Sequence, residues 1–221
     1  MDMGLDGKAA IVGGGSKGIG KGVAMGLAKE GCRVAICARN PETLEAAAQE
    51  IRSATGREVL PIVCDMAVYD DITRAVAEAA AGFGRLDIVV NNAGGPPTGT
   101  FETLDERYWQ HAIEQNLLSA VRTAREALPH LRRTGYGRII NITSVAVKQP
   151  IDGLMLSNAT RLGVVGWAKT LSRELAPNGI TVNTVCPGNI ATERLMSLIE
   201  DRASRQGIDL EQAVQVEEMI L

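Results

Sequence analysis

Aromatic residues are scarce in this chain: two tryptophans, three tyrosines and two phenylalanines make up 3% of its 221 residues. Few anchors are therefore available for a flat aromatic substrate. The four cysteines, Cys32, Cys37, Cys64 and Cys186, form no Cys-x-x-Cys pair and have no histidine cluster nearby. This spacing offers no metal-ligand set, so no metal is expected, and the thiols read as buried packing groups. Basic residues are not in excess, with 23 Lys and Arg against 26 Asp and Glu, a net charge of −3. No broad basic surface exists to neutralise a nucleic-acid backbone, and Arg132-Arg133 reads as a solvated helix end. No uninterrupted apolar run reaches the roughly 18 residues of a membrane span, and Met1 to Gly7 carry no signal-peptide core. These absences imply a cytoplasmic protein with neither a nucleic-acid nor a membrane partner.

What is present is a hydrophobic content of 45% and a charged content of 22%, enough for one large domain over residues 1–221 with a well-buried core. Short β-branched runs at Ala9 to Val12, Val34 to Cys37, Val59 to Val63, Asp87 to Val90, Arg138 to Ile142 and Ile180 to Val185 read as strands. Between them, Ile19 to Lys29, Pro41 to Ala54, Asp70 to Ala81, Asp105 to Leu131 and Met155 to Leu175 read as helices, with Pro41 and Asp105 suited to first-turn or capping positions. Strands apolar on both faces that alternate with helices predict an α/β fold: a Rossmann-like, doubly wound parallel sheet covered by helices on both sides. Ligands then bind beyond the strand C-termini. The remaining stretch, Thr192 to Leu221, reads as helical and charged, on the substrate side.

The richest local signal is Gly14-Gly15-Ser16-Lys17-Gly18-Ile19-Gly20, which follows the first strand and runs into the first helix. Glycine there permits a tight turn and close backbone approach to a pyrophosphate, while the helix start offers free N–H groups and a partial positive charge. Dinucleotide binding follows. About 20 residues beyond the loop, an acidic residue usually accepts the adenosine ribose hydroxyls; here the chain reads Cys37-Ala38-Arg39-Asn40. Arg39 suits a 2′-phosphate, and Lys17 adds a second cation, so NADP(H) is favoured over NAD(H).

Val12 to Gly20, Asn91-Asn92-Ala93-Gly94 after the fourth strand and Pro187-Gly188 after the sixth occur in an order that resembles the short-chain dehydrogenase/reductase family. The resemblance runs from about Gly7 to Thr192, and Leu171 to Gly188 is similar to 3-oxoacyl-(acyl-carrier-protein) reductases. It implies that Asp65 contacts the adenine, that Asn91 and Ala93 line the cofactor and support the sheet, and that Ile190 with Thr192 holds the carboxamide. Gly13 departs from it, since the family usually has Thr there. The family's catalytic tetrad carries over to Asn116 and Ser144. Its Tyr and Lys positions fall instead on Ser157 and Arg161, with Ser157 thirteen residues after Ser144. Four apart on a helix, these two share a face.

A phenol can be tuned toward neutral pH by an adjacent ammonium, whereas a serine hydroxyl is a far weaker acid and Arg is no conservative replacement for Lys. Two functions follow. One is an NADP(H)-dependent oxidoreductase interconverting a carbonyl and an alcohol on a small-molecule or acyl-thioester substrate, with Ser157 and Arg161 as an altered proton-relay pair. The other is a non-catalytic NADP(H)-binding sensor or partner subunit. Lys148, Asp152 and Cys186 are further residues near the expected substrate side. The resemblance also implies a homodimer or homotetramer, with Gly163 and Gly166 allowing close helix approach. Family members usually continue past the equivalent of Leu221 with a further helix and a seventh, edge-forming strand.

Overall fold

The computed structural model describes residues 2–218. Six strands, β1 (Ala9–Gly13), β2 (Arg33–Ala38), β3 (Val59–Val63), β4 (Ile88–Asn91), β5 (Gly137–Ile142) and β6 (Ile180–Val185), form one sheet in the order β3-β2-β1-β4-β5-β6. Every pairing is parallel. The order reverses between β1 and β4, which opens a crevice at their C-terminal ends. All six strands lie within two residues of the sequence expectation.

Because side chains alternate across a strand, β1 to β5 supply two cores, whereas β6 buries Ile180 and Val182 in one of them. Ile11, Ala35, Val89 and Ile139 face one side and pack with Ile72, Val76 and Phe83 of α3 (Tyr69–Phe83), Ala127 and Leu131 of α5 (Ser119–Thr134), and Ala168 and Leu175 of α6 (Met155–Leu175). Ala10, Val12, Val34, Ile36 and Ile88 face the other and pack with Ala24 and Ala28 of α1 (Gly18–Lys29) and Leu44, Ala48 and Ile51 of α2 (Pro41–Thr55). Cys32, Cys37 and Cys64 are buried free thiols. The start of β4 is pinned by the fully buried Asp87, whose Oδ2 accepts from Ala9 N at 2.9 Å and whose carboxylate takes Arg85 in a two-pronged grip at 2.7 and 2.8 Å.

Local chemistry explains most boundaries. Pro41 opens α2 behind Asn40, whose side chain accepts from Thr43 N, and Gly56 closes it at φ 66°. Asp105 caps α4 (Glu106–Ala112) through Arg107 N and Tyr108 N. One expectation fails here. The run from Asp105 to Leu131 is not a single α-helix: a π-helical segment, Ile113–Leu118, separates α4 from α5. A π-turn is costly alone and persists where tertiary contacts compensate it; here Ser119 Oγ donates to Gln115 O, and Leu117 packs where α6 carries Gly163. After β6 come α7 (Glu193–Gln206) and α8 (Leu210–Glu218), as the charged C-terminal stretch predicts. Residues 219–221 lie outside the described residues. No helix among the described residues is long and apolar enough to cross a membrane.

Candidate active site

The C-terminal ends of β1, β4, β5 and β6 surround a cleft of about 360 Å³. Its first wall is the glycine loop. Gly14 (φ 58°) and Gly18 (φ 51°) adopt backbone conformations that disfavour any side chain. A Cβ on Gly20 would lie 2.1 Å from Gly14 O, so the loop folds directly onto the start of α1. Gly15 N donates to Cys37 O at 3.0 Å, which ties the loop to the end of β2, where Arg39 stands exposed. The N-terminus of α1 has no side-chain cap and no acidic residue in its first turn. Its N–H groups and partial charge remain for an anion, and the side-chain-free cradle fits a diphosphate.

Lys17 also lines the cleft and has a long-range partner. Its Nζ donates to Glu193 Oε2 at 2.8 Å, bridging the glycine loop to the first turn of α7. Thr192 caps α7, with Oγ1 accepting from Leu195 N, and its Cγ2 sits against Gly18.

β4 delivers Asn91 and Asn92 to opposite tasks. Asn91 Nδ2 donates to Asn141 Oδ1 at 2.8 Å within the sheet, while Asn92 Nδ2 donates to Gly13 O at 3.0 Å. The Thr that the resemblance leads one to expect at position 13 has no room as things stand: a Cβ there would be 2.5 Å from Asn92 O. Asn92, Ala93 and Gly94 line the cleft and Asn91 does not.

β5 and β6 remain joined past their ends. Thr143 N donates to Val185 O and Val145 N to Pro187 O, both at 2.8 Å, so Ser144 and Pro187-Gly188 are held side by side in the cleft wall. Ser144 Oγ accepts from Ala146 N at 3.1 Å, which leaves its own proton to donate. From α6, Ser157 is buried and Arg161 reaches back one turn: Arg161 Nε donates to Ser157 Oγ at 3.1 Å, and Nη1 donates to Ile142 O and Thr143 O, each at 3.1 Å. Burial, and secondarily the charge of Arg194, push Arg161 down to about 10. It remains a cation at neutral pH.

Asn116, on the π-helical segment, donates from Nδ2 to Gly94 O at 2.9 Å, just behind the cleft. Its Oδ1 and that of Asn91 are buried without partners, and both residues border a cavity of about 10 Å³ with room for a single water.

The structure therefore brings Gly14, Lys17, Gly18, Ile19, Ala93, Gly94, Ser144, Ser157, Arg161, Pro187, Gly188 and Thr192 to one cleft. Arg39 and Asp65 stand apart from it at the β2 and β3 ends, and Asp65 Oδ1 accepts from Ala67 N in a tight turn. Ile190 is exposed outside the cleft lining, which includes neither Lys148 nor Asp152. Cys186 accepts from Thr143 Oγ1 at 3.3 Å, a packing contact. Sequence reasoning passed over Gly95, Leu154, Glu193, Arg194 and Leu198. Arg194 Nη2 donates to Pro96 O at 2.7 Å, and a Cβ on Gly95 would collide with its guanidinium.

A model of the short chain dehydrogenase family matches residues 8–203. The chain is 36% identical to the 3-oxoacyl-(acyl-carrier-protein) reductase FabG of Staphylococcus epidermidis over 195 residues, covering 88% of this chain and 80% of that protein. Among solved structures, L-sorbose reductase from Gluconobacter frateurii, complexed with NADPH and L-sorbose, superposes with a TM-score of 0.91 at 33% identity, covering 98% of this chain and 82% of that one. A variant of actinorhodin polyketide ketoreductase with NADPH superposes with a TM-score of 0.89 at 36% identity, covering 96% and 82%. With a family model that matches residues 8–203 and chain-long similarity to these reductases, the chain belongs to the short-chain dehydrogenase/reductase family.

Proposed function

We propose that this chain is an NADP(H)-dependent oxidoreductase that interconverts a carbonyl and an alcohol, with 3-oxoacyl thioesters as one substrate class. One observation carries the reading: the glycine cradle and the Ser144, Ser157 and Arg161 side chains line the same cleft. The NADPH complexes of the L-sorbose reductase and the polyketide ketoreductase support it. Bound NADPH supplies the hydride. The glycine loop and the α1 N-terminus hold the diphosphate, Arg39 receives the 2′-phosphate, and Asp65, Asn91, Ala93, Ile190 and Thr192 complete the cofactor side.

On the chemical side, Ser144 donates its hydroxyl proton to the substrate oxygen and orients it. Ser157 accepts from Arg161, so its proton is free to leave, and the adjacent guanidinium stabilises the alkoxide that forms. Asn116 fixes the Gly94 backbone beside them. NADPH consumption with a panel of ketones and β-ketoacyl thioesters tests the reading. Steady turnover is expected, and NADPH binding without turnover on any of them refutes it.

That same outcome would favour a cofactor-binding sensor or partner subunit. The observation behind this second reading is the serine at position 157, whose hydroxyl is a weak acid.

A further inference from the structure

The cleft holds more positive charge than the tetrad positions require. Of the titratable side chains lining it, Lys17, Arg161 and Arg194 are cationic and Glu193 is the lone carboxylate, already engaged by Lys17. Arg161 spends Nε and Nη1 on neutral acceptors, a hydroxyl and two carbonyls, and its Nη2 has no partner among the described residues. Arg194 enters from α7, crosses over Gly95 and spends one N–H on Pro96 O. Burial pushes Arg194 down and the charge of Asp201 pushes it back up; burial and Arg194 together push Arg161 down. Two guanidinium groups thus line one partly dry cleft, and the charge of Arg194 adds to the cost of burying Arg161, a cost that an anion bound by both reduces. A guanidinium also presents paired N–H groups that match a carboxylate.

We propose that Arg194, together with Arg161, binds a carboxylate carried by the substrate itself, so that the reducible carbonyl belongs to a short oxo acid. The inference rests on the reductase reading and ranks its substrates: oxo acids bind above neutral ketones and thioesters, which lack the group that the two arginines receive. Gly95 is part of the device, since any side chain there would displace the Arg194 head.

The test is equilibrium binding to the protein saturated with NADP+, which is independent of turnover. The probes are pyruvate, acetoacetate and levulinate, each against its amide, and acetoacetyl-N-acetylcysteamine as a neutral thioester. At least one acid is expected to bind about tenfold or more tightly than its neutral counterparts, the scale of one charge-assisted hydrogen bond. Arg194→Gln collapses that ratio and Arg194→Lys retains part of it, with thermal midpoints confirming that both variants fold. The proposal is overturned if no acid exceeds its amide, if the thioester binds as tightly as the acid, or if Arg194→Gln keeps the ratio. It is equally overturned if Arg194→Gln weakens NADP+ instead, which would assign the arginine to the cofactor diphosphate. Failure of the reductase reading shows separately, as absent NADPH consumption despite acid binding.

Discussion

Replacing Ser157 by alanine removes one oxygen from a buried site and leaves the rest of α6 in place. The structure separates two consequences. The proposed proton donor disappears, and a lost general acid slows reaction by about 10² to 10⁴, or ~3–5 kcal/mol of barrier. Arg161 also loses its Nε bond to Ser157 Oγ but keeps both Nη1 bonds to the Ile142 and Thr143 carbonyls, so the guanidinium stays in position. Cofactor affinity should therefore change by less than about threefold, under ~1 kcal/mol. Single-turnover stopped-flow following NADPH absorbance measures the first consequence, and NADPH fluorescence titration the second. A rate within about tenfold of the parent at unchanged affinity would show that the proton comes from another group. A parallel loss of rate and affinity would show that Ser157 acts only by holding Arg161.

Arg39→Ser tests the 2′-phosphate assignment: the NADPH over NADH preference in dissociation constants should fall by about tenfold or more, the worth of one charged hydrogen bond. An unchanged ratio sinks the assignment. Asp87→Ala leaves Ala9 N–H buried without its acceptor and Arg85 without its ion pair. Breaking such a pair costs about 3–5 kcal/mol, and the low end applies because Arg85 reaches solvent. At roughly 2–4 °C per kcal/mol, calorimetry should show a midpoint lower by about 6–12 °C; a shift under about 2 °C would mean that the grip on β4 contributes little.

Much of this was legible in local chemistry. The glycine loop announced itself because positive φ and close backbone approach demand glycine, and Gly14, Gly18 and Gly20 meet those demands in the fold. β1 and β4 were readable because they are buried on both faces, which leaves continuous apolar runs, whereas β6 shows the alternation of a strand covered on one face. The single long α-helix expected from Asp105 fails because a one-turn π-segment inside a helix interrupts the apolar pattern too briefly to show in the sequence; in the fold, its Leu117 lies against Gly163 of α6. The ion pair of Lys17 with Glu193 was not legible because the two residues lie 176 positions apart.

The sequence by itself determined the doubly wound sheet and the glycine loop between β1 and α1, since each depends on short spacings and residue types. Only the tertiary structure decided where the charges point: Lys17 to Glu193, Arg161 to Ser157 and two carbonyls, and Arg194 over Gly95 into the cleft. The reason is physical. Backbone conformation is set within a few residues, whereas a charge takes its meaning from whatever the fold brings within a few ångströms of it.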